Sequence, residues 1–138
     1  MQNKYGLVGK NINYSFSKKY FTEKFLKENI KNSNYENFDL DNILEFKKII
    51  KDNPQLKGLN VTIPYKEAII PYLDNVSKKA KLIGAINTIR ISKKGKLKGY
   101  NTDYYGFVEA LKPLLSINHK KALILGTGGA SNVFVFYF

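Results

Sequence analysis

With 138 residues, 43% of them hydrophobic, the chain can bury one core but is too short for two complete domains, so one domain plus a stub is expected. It has no cysteine and one histidine, His119, which excludes disulfides and thiolate chemistry and argues against a metal centre. The formal charge of +12 invites a nucleic-acid partner, yet Arg90 is the one arginine among 23 basic residues, and nucleic-acid readers favour arginine's bidentate fork, so no nucleic acid is expected. The N-terminus lacks the apolar core of a signal peptide and no run approaches the roughly 18 apolar residues of a membrane span, which predicts a cytoplasmic chain with no membrane partner.

Lys4 to Gly9 reads as a short apolar strand, followed by a polar loop from Lys10 to Ser17. Lys18 to Glu28 places Tyr20, Phe21, Phe25 and Leu26 at helical spacing, with Ser17 positioned to cap the helix. Tyr35 to Leu40 is a second strand, and Asp41 is expected to cap a helix whose apolar face is Ile43, Leu44, Phe46, Lys47, Ile49 and Ile50, ended by Pro54. Gly58 to Ile63 is a third strand. Tyr65 to Leu73 and Asn75 to Ile83 read as helical, the first interrupted at Pro71. Asn87 to Ile91 and Lys96 to Tyr100 form a hairpin around the turn Lys93-Lys94-Gly95. Thr102 to Leu115 is helical, and Ile117 to Lys121 links it to a last strand, Ala122 to Leu125. Strands alternating with helices predict an α/β fold: a mostly parallel sheet with flanking helices and a ligand site beyond the strand C-termini.

Three polar motifs fall at such ends: Asn60-Val61-Thr62-Ile63-Pro64-Tyr65-Lys66, Gly84-Ala85-Ile86-Asn87-Thr88 and Gly99-Tyr100-Asn101-Thr102-Asp103. They gather a lysine, an aspartate, amides and hydroxyls suited to a small polyhydroxylated ligand. Lys66 and Asp103, at neighbouring strand ends, can hold a substrate hydroxyl between them and move its proton. Ser15 and Ser17 flank Phe16, so in an extended segment both hydroxyls point one way and can bind one carboxylate. Each residue alone has a blander reading as a cap or a solvated side chain, and the clustering carries the inference. Gly126-Thr127-Gly128-Gly129-Ala130, after Leu123-Ile124-Leu125, has the chemistry of a phosphate-binding turn at a helix N-terminus.

Taken together, Ser15-Phe16-Ser17, the three polar motifs with Gly106, and Gly126 to Ser131 resemble the shikimate dehydrogenase family over roughly residues 4 to 131. The resemblance implies a substrate-binding domain over residues 1–115, then a linker and the start of a dinucleotide-binding (Rossmann) domain over 116–138. It implies NADPH-dependent reduction of 3-dehydroshikimate to shikimate, with Lys66 and Asp103 as the catalytic pair. Ser15 and Ser17 would hold the substrate carboxylate, and Asn60, Thr62, Lys66, Asn87, Thr102 and Asp103 would surround its hydroxyls. Gly126, Gly128, Gly129 and Ala130 would approach the phosphates of NADP, no metal is implied, and a homodimer is left open. Two alternatives remain: a shikimate-type binding module without catalysis, and a basic nucleic-acid binder.

After Ser131 the chain departs from the resemblance. Asn132-Val133-Phe134-Val135-Phe136-Tyr137-Phe138 is β-branched and aromatic, which predicts a strand or a disordered apolar end where a phosphate-binding helix should run, in a truncated chain.

Overall fold

The computed structural model describes residues 2–137. Strands β1 (Asn3–Gly9), β2 (Ser33–Asp39), β3 (Leu56–Val61), β4 (Asn75–Val76), β5 (Thr88–Ile91) and β6 (Leu97–Tyr100) form one sheet in the spatial order β2-β1-β3-β5-β6-β4. Only β5 pairs antiparallel, to β3 and β6, while the β1–β2, β1–β3 and β4–β6 pairs are parallel. The expected mostly parallel sheet is therefore present, and its exception has a local cause. The Lys93-Lys94-Gly95 turn, closed by Gly95 N–H donating to the Ser92 carbonyl at 2.9 Å, is too short for anything but an antiparallel return. The C-terminal ends of β1, β3 and β6 therefore share a sheet edge with the N-terminal end of β5.

Helices α1 (Ser17–Lys27), α2 (Phe46–Asp52), α3 (Tyr65–Ala68), α4 (Lys78–Ile83), α5 (Asp103–Leu111) and α6 (Gly129–Tyr137) flank the sheet. The larger core lies on one face, where Val8, Leu59, Val61 and Ile89 pack with Phe46, Ile69 and Ile86. Full burial of side chains of this size contributes about 1.5–3 kcal/mol each, which makes this layer the main source of stability. The opposite face holds a smaller cluster in which Phe21 and Phe25 of α1 cover Leu7, Ile12 and Tyr35. No helix among the described residues is long and apolar enough to cross a membrane.

Several local expectations are corrected. Ser17 opens α1 instead of capping it, and Ser15 Oγ accepts from the Ser17 N–H at 3.3 Å. Asn42, not Asp41, caps the next segment, because Glu45 lies three residues on and returns a bond to the Asn42 N–H at 2.8 Å, a reciprocal box that Asp41 has no partner to form. Asn75–Val76 is a strand beside β6, and α4 starts only after Ser77, whose hydroxyl accepts from Ala80 N–H. The interruption expected at Pro71 takes the form of a 3-10 turn, Ile70–Tyr72, while the helix expected to run to Leu115 ends at Leu111 and passes into another, Lys112–Leu114.

Ala122 to Leu125 is not a strand: Leu123 and Leu125 are 86% and 87% exposed, and an apolar run becomes a strand only where a neighbour takes its backbone ladder. The stretch read as a strand or a disordered end is instead helix α6, and Phe138 lies outside the described residues. Packing overrides propensity here, since Val133 is buried with Ile83 and Ala85, and Phe134 meets Phe107 at 4.4 Å between ring centroids.

Candidate active site

The shared sheet edge is stitched by backbone bonds before any side chain acts. Ile86 N–H donates to the Lys66 carbonyl at 2.7 Å, Val61 N–H to that of Asn87 at 2.8 Å, and Asn87 N–H to that of Tyr100 at 3.1 Å. The three polar motifs are thus one structure. Asn101, 3% exposed, fastens them further: its Nδ2 donates to the Ala85 carbonyl at 3.0 Å and its Oδ1 accepts from Tyr104 N–H at 3.1 Å. That second bond satisfies an otherwise orphaned amide in the first turn of α5.

On this frame Lys66 Nζ lies 2.6 Å from Asp103 Oδ2, with the lysine side chain 17% exposed and the aspartate 39%. Asp103 opens α5, where the helix amides favour a carboxylate. Its second oxygen accepts from Asn87 Nδ2 at 2.7 Å, and the same nitrogen donates to Thr102 Oγ1 at 2.8 Å. Asn87 Oδ1 in turn accepts from Thr102 N–H at 2.8 Å and Thr88 Oγ1 at 3.0 Å. Asn87 therefore uses both donors and both lone pairs inside the network, which fixes the Asp103 carboxylate toward Lys66. A ligand hydroxyl can enter by replacing a threonine hydroxyl, an exchange of like for like.

Asn60, Lys66, Asn87, Thr102 and Asp103 are brought together as expected, although Asn87 arrives at the start of the reversed strand β5 and not at a strand C-terminus. Asn60 joins through Nδ2, 3.5 Å from the Asn87 carbonyl oxygen. Ser15 and Ser17 meet each other, with 3.2 Å between hydroxyl oxygens, where the loop after β1 runs into α1. That loop is bound to the same edge: Lys10 N–H donates to the Ile63 carbonyl, and a Cβ on Gly9 would lie 2.5 Å from Ile12 and 2.6 Å from Thr62. Thr62 thus stands where the serine loop and β3 converge. Asp39 anchors the loop by accepting from the Asn11 and Ile12 N–H groups at 2.7 and 3.1 Å. A mostly apolar hollow of about 320 Å³, lined by Phe21, Phe25, Leu59 and Ile89, reaches Asn60 and Thr88, and one of about 490 Å³ is lined by Ser77, Lys79 and Thr102.

Tyr35, Thr88, Asn101 and Asp39 were not singled out as site-building residues from the sequence. Thr88 and Asn101 stand inside the motifs and were hidden only by commoner loop roles, whereas Tyr35 and Asp39 act from a strand far away in sequence.

The glycine turn tests the fit of a dinucleotide. Gly126 has φ 119°, a conformation that side chains rarely adopt, and open space surrounds Gly128. The turn leads into α6, whose first amides, at Gly129 and Ala130, suit a phosphate. Gly129 also abuts the site, since a Cβ there would be 3.1 Å from the Lys66 Cβ. The residues present fit the phosphates of such a group, and the turn that would hold them lies next to the Cβ of Lys66. Among the described residues no group of three His, Cys, Asp or Glu side chains could hold a metal ion.

An α/β domain with a lysine–carboxylate pair set in a hydrogen-bonded sheet edge is the class that fold and site define. The family model for the shikimate dehydrogenase substrate binding domain matches residues 7–89. The shikimate dehydrogenase (NADP(+)) of Clostridium botulinum is 44% identical over 129 residues, covering 91% of this chain and 49% of that protein. Shikimate dehydrogenase 1 from Peptoclostridium difficile superposes with a TM-score of 0.86 at 40% identity, over 99% of this chain and 50% of that one. The Thermus thermophilus shikimate 5-dehydrogenase, solved in complex with NADP(H) and shikimate, gives 0.84 at 32% identity, over 98% of this chain and 51% of that one. The chain belongs to the shikimate dehydrogenase family, and it spans about half the length of the curated relatives it matches.

Proposed function

We propose that this chain supplies the substrate-binding half of an NADPH-dependent reduction of 3-dehydroshikimate to shikimate, a cytoplasmic step of aromatic amino-acid biosynthesis. The observation that carries the reading is the 2.6 Å contact of Lys66 Nζ with Asp103 Oδ2, held by Asn87. Ser15 and Ser17 bind the substrate carboxylate. Asn60, Thr62, Asn87 and Thr102 fix its hydroxyls, so that the carbonyl oxygen reaches Lys66 and Asp103. When bound, NADPH supplies the hydride taken up by the carbonyl carbon. Lys66 gives a proton to the carbonyl oxygen as charge develops there, and Asp103 orients the lysine nitrogen toward it. In the oxidative direction the same pair accepts the hydroxyl proton.

Gly126, Gly128, Gly129 and Ala130 would hold the cofactor's phosphates. On this reading residues 1–115 are the substrate domain and 116–138 the opening of the dinucleotide-binding domain. Titration calorimetry of the 138-residue chain with shikimate tests the proposal: saturable binding, weakened by Ser15→Ala, is expected, and absence of binding overturns it. No NADPH-dependent turnover is expected from these 138 residues alone. They hold one glycine turn and one helix of a dinucleotide site, and holding the nicotinamide needs the crevice between strands of a second sheet.

A further inference from the structure

We infer that Tyr35 is a positioning residue of the site: it locks the side-chain amide of Asn60 so that Asn60 meets a ligand oxygen as a donor and not as an acceptor. The inference rests on the shikimate-binding reading above and deepens it, because it assigns the polarity of one contact and the residue that sets it.

Tyr35 lies on β2, two strands from Asn60 on β3, and is 4% exposed. Its ring is held flat against Phe21 of α1, 4.5 Å between centroids and 14° between planes. From there the hydroxyl reaches over β1 and donates to Asn60 Oδ1 at 2.9 Å. On the other side of the amide, Nδ2 faces the Asn87 backbone carbonyl oxygen at 3.5 Å. A carbonyl oxygen can only accept, so the amide nitrogen belongs on that side and the phenol must be the donor on the other. The amide is fixed from both ends. Burial raises the Tyr35 phenol well above its ordinary range, so the bridging hydrogen stays in place throughout the neutral range.

Asn60 has one amide hydrogen beyond the one facing Asn87. Among the described residues no protein acceptor meets this hydrogen, and the half-buried residue leaves it available to a ligand oxygen at the shared edge. It suits a hydroxyl or carboxylate oxygen and disfavours a ligand group that can only donate. Phenylalanine at position 35 would preserve the ring stack and remove the lock, leaving the amide free to turn either end outward.

A double-mutant cycle on shikimate binding by the 138-residue chain, read by calorimetry, tests the role. Tyr35→Phe is expected to weaken binding about five- to tenfold, the loss of one net hydrogen bond. Asn60→Ala should weaken it at least as much, and the double substitution should be no worse than Asn60→Ala, because Tyr35 acts only through Asn60. Losses that add, or a Tyr35→Phe chain that binds as tightly as the parent, overturn the inference while leaving the functional reading in place. A second measurement needs no ligand. In the NMR spectrum of the free chain, Tyr35→Phe should shift or split the Asn60 side-chain amide signals, and an unmoved signal overturns the lock. If the parent chain binds no shikimate the functional reading fails, and these signals decide the orientation of Asn60 on their own.

Discussion

Strand β6 carries a lysine–aspartate ion pair at each end, Lys96 with Asp74 before it and Lys66 with Asp103 after it, at 2.7 and 2.6 Å. The aspartates are equally exposed, at 37% and 39%, but Lys96 is 73% exposed and Lys66 only 17%. The larger difference is the third partner. Asp74 spends its other oxygen on the Leu97 N–H at 2.8 Å, a backbone bond that closes the corner between β4 and β6. Asp103 gives its other oxygen to Asn87, and so to the hydroxyls of Thr88 and Thr102. The first pair is finished by main chain, and the second by groups that a ligand hydroxyl can replace. A hollow of about 560 Å³ opens beside Asp74 and Lys96, so space does not distinguish the two ends; convergent exchangeable polar groups do.

The sharpest way to break this comparison is to remove each lysine in an enzyme completed with the remaining half of a relative. Lys66→Ala should lower kcat by about 10²–10⁴-fold with little change in KM, as expected for a group that transfers a proton in the transition state. Lys96→Ala should leave kcat unchanged. Equal losses from the two substitutions would show that the third partner is irrelevant.

Next in size is the anchor at the site end of β6. Asn101→Ala leaves the Ala85 carbonyl and the Tyr104 N–H without partners in a buried place, which should cost about 2–3 kcal/mol of stability, read by urea denaturation. Ser15→Ala should act more mildly, raising KM about tenfold with kcat nearly constant, because a hydroxyl proposed to hold the substrate carboxylate would bind substrate and transition state alike.

The pair at the site end was legible because each partner sits in a short polar motif next to an apolar run, and strand ends in an α/β sheet converge. The reversal of β5 was legible too, in Lys93-Lys94-Gly95, although its effect of carrying Asn87 to the shared edge needed the sheet order. Tyr35 could not be read as a site-building residue. It stands among polar residues, Asn34, Glu36 and Asn37, and nothing local says that its hydroxyl crosses β1 to reach Asn60. The C-terminal stretch misled for a related reason: Val133 and Phe134 have strand propensity, and only the surfaces of α4 and α5 make them helical. At Ala122 to Leu125 the apolar pattern is strand-like, but a strand needs a neighbour that local pattern does not supply.

The smallest expected effect lies at the other end of β6 and depends on pH. The bond from Leu97 N–H, and then that from Lys96, hold the Asp74 carboxyl below its ordinary value of 3.8. A carboxyl whose acidity is strengthened by folding contributes stability that is present in full above that ordinary value and is lost as pH falls through the lowered one. Lys96 is raised above its ordinary 10.5 by the bond and charge of Asp74, so its share is present below that value and fades as pH rises beyond it. Between these limits the contribution is flat. Both groups are solvent-accessible, so screening keeps the effect small and salt-dependent. Asp74→Asn keeps an oxygen for the Leu97 N–H but removes the charge. The variant's melting temperature should sit slightly below the parent's near neutral pH and draw level with it as pH falls well below the ordinary carboxyl value of 3.8 or in about 1 M salt. A gap that persists at low pH and high salt would mean that Asp74 acts through geometry, and that the charge of the Lys96 pair contributes nothing to the corner it closes.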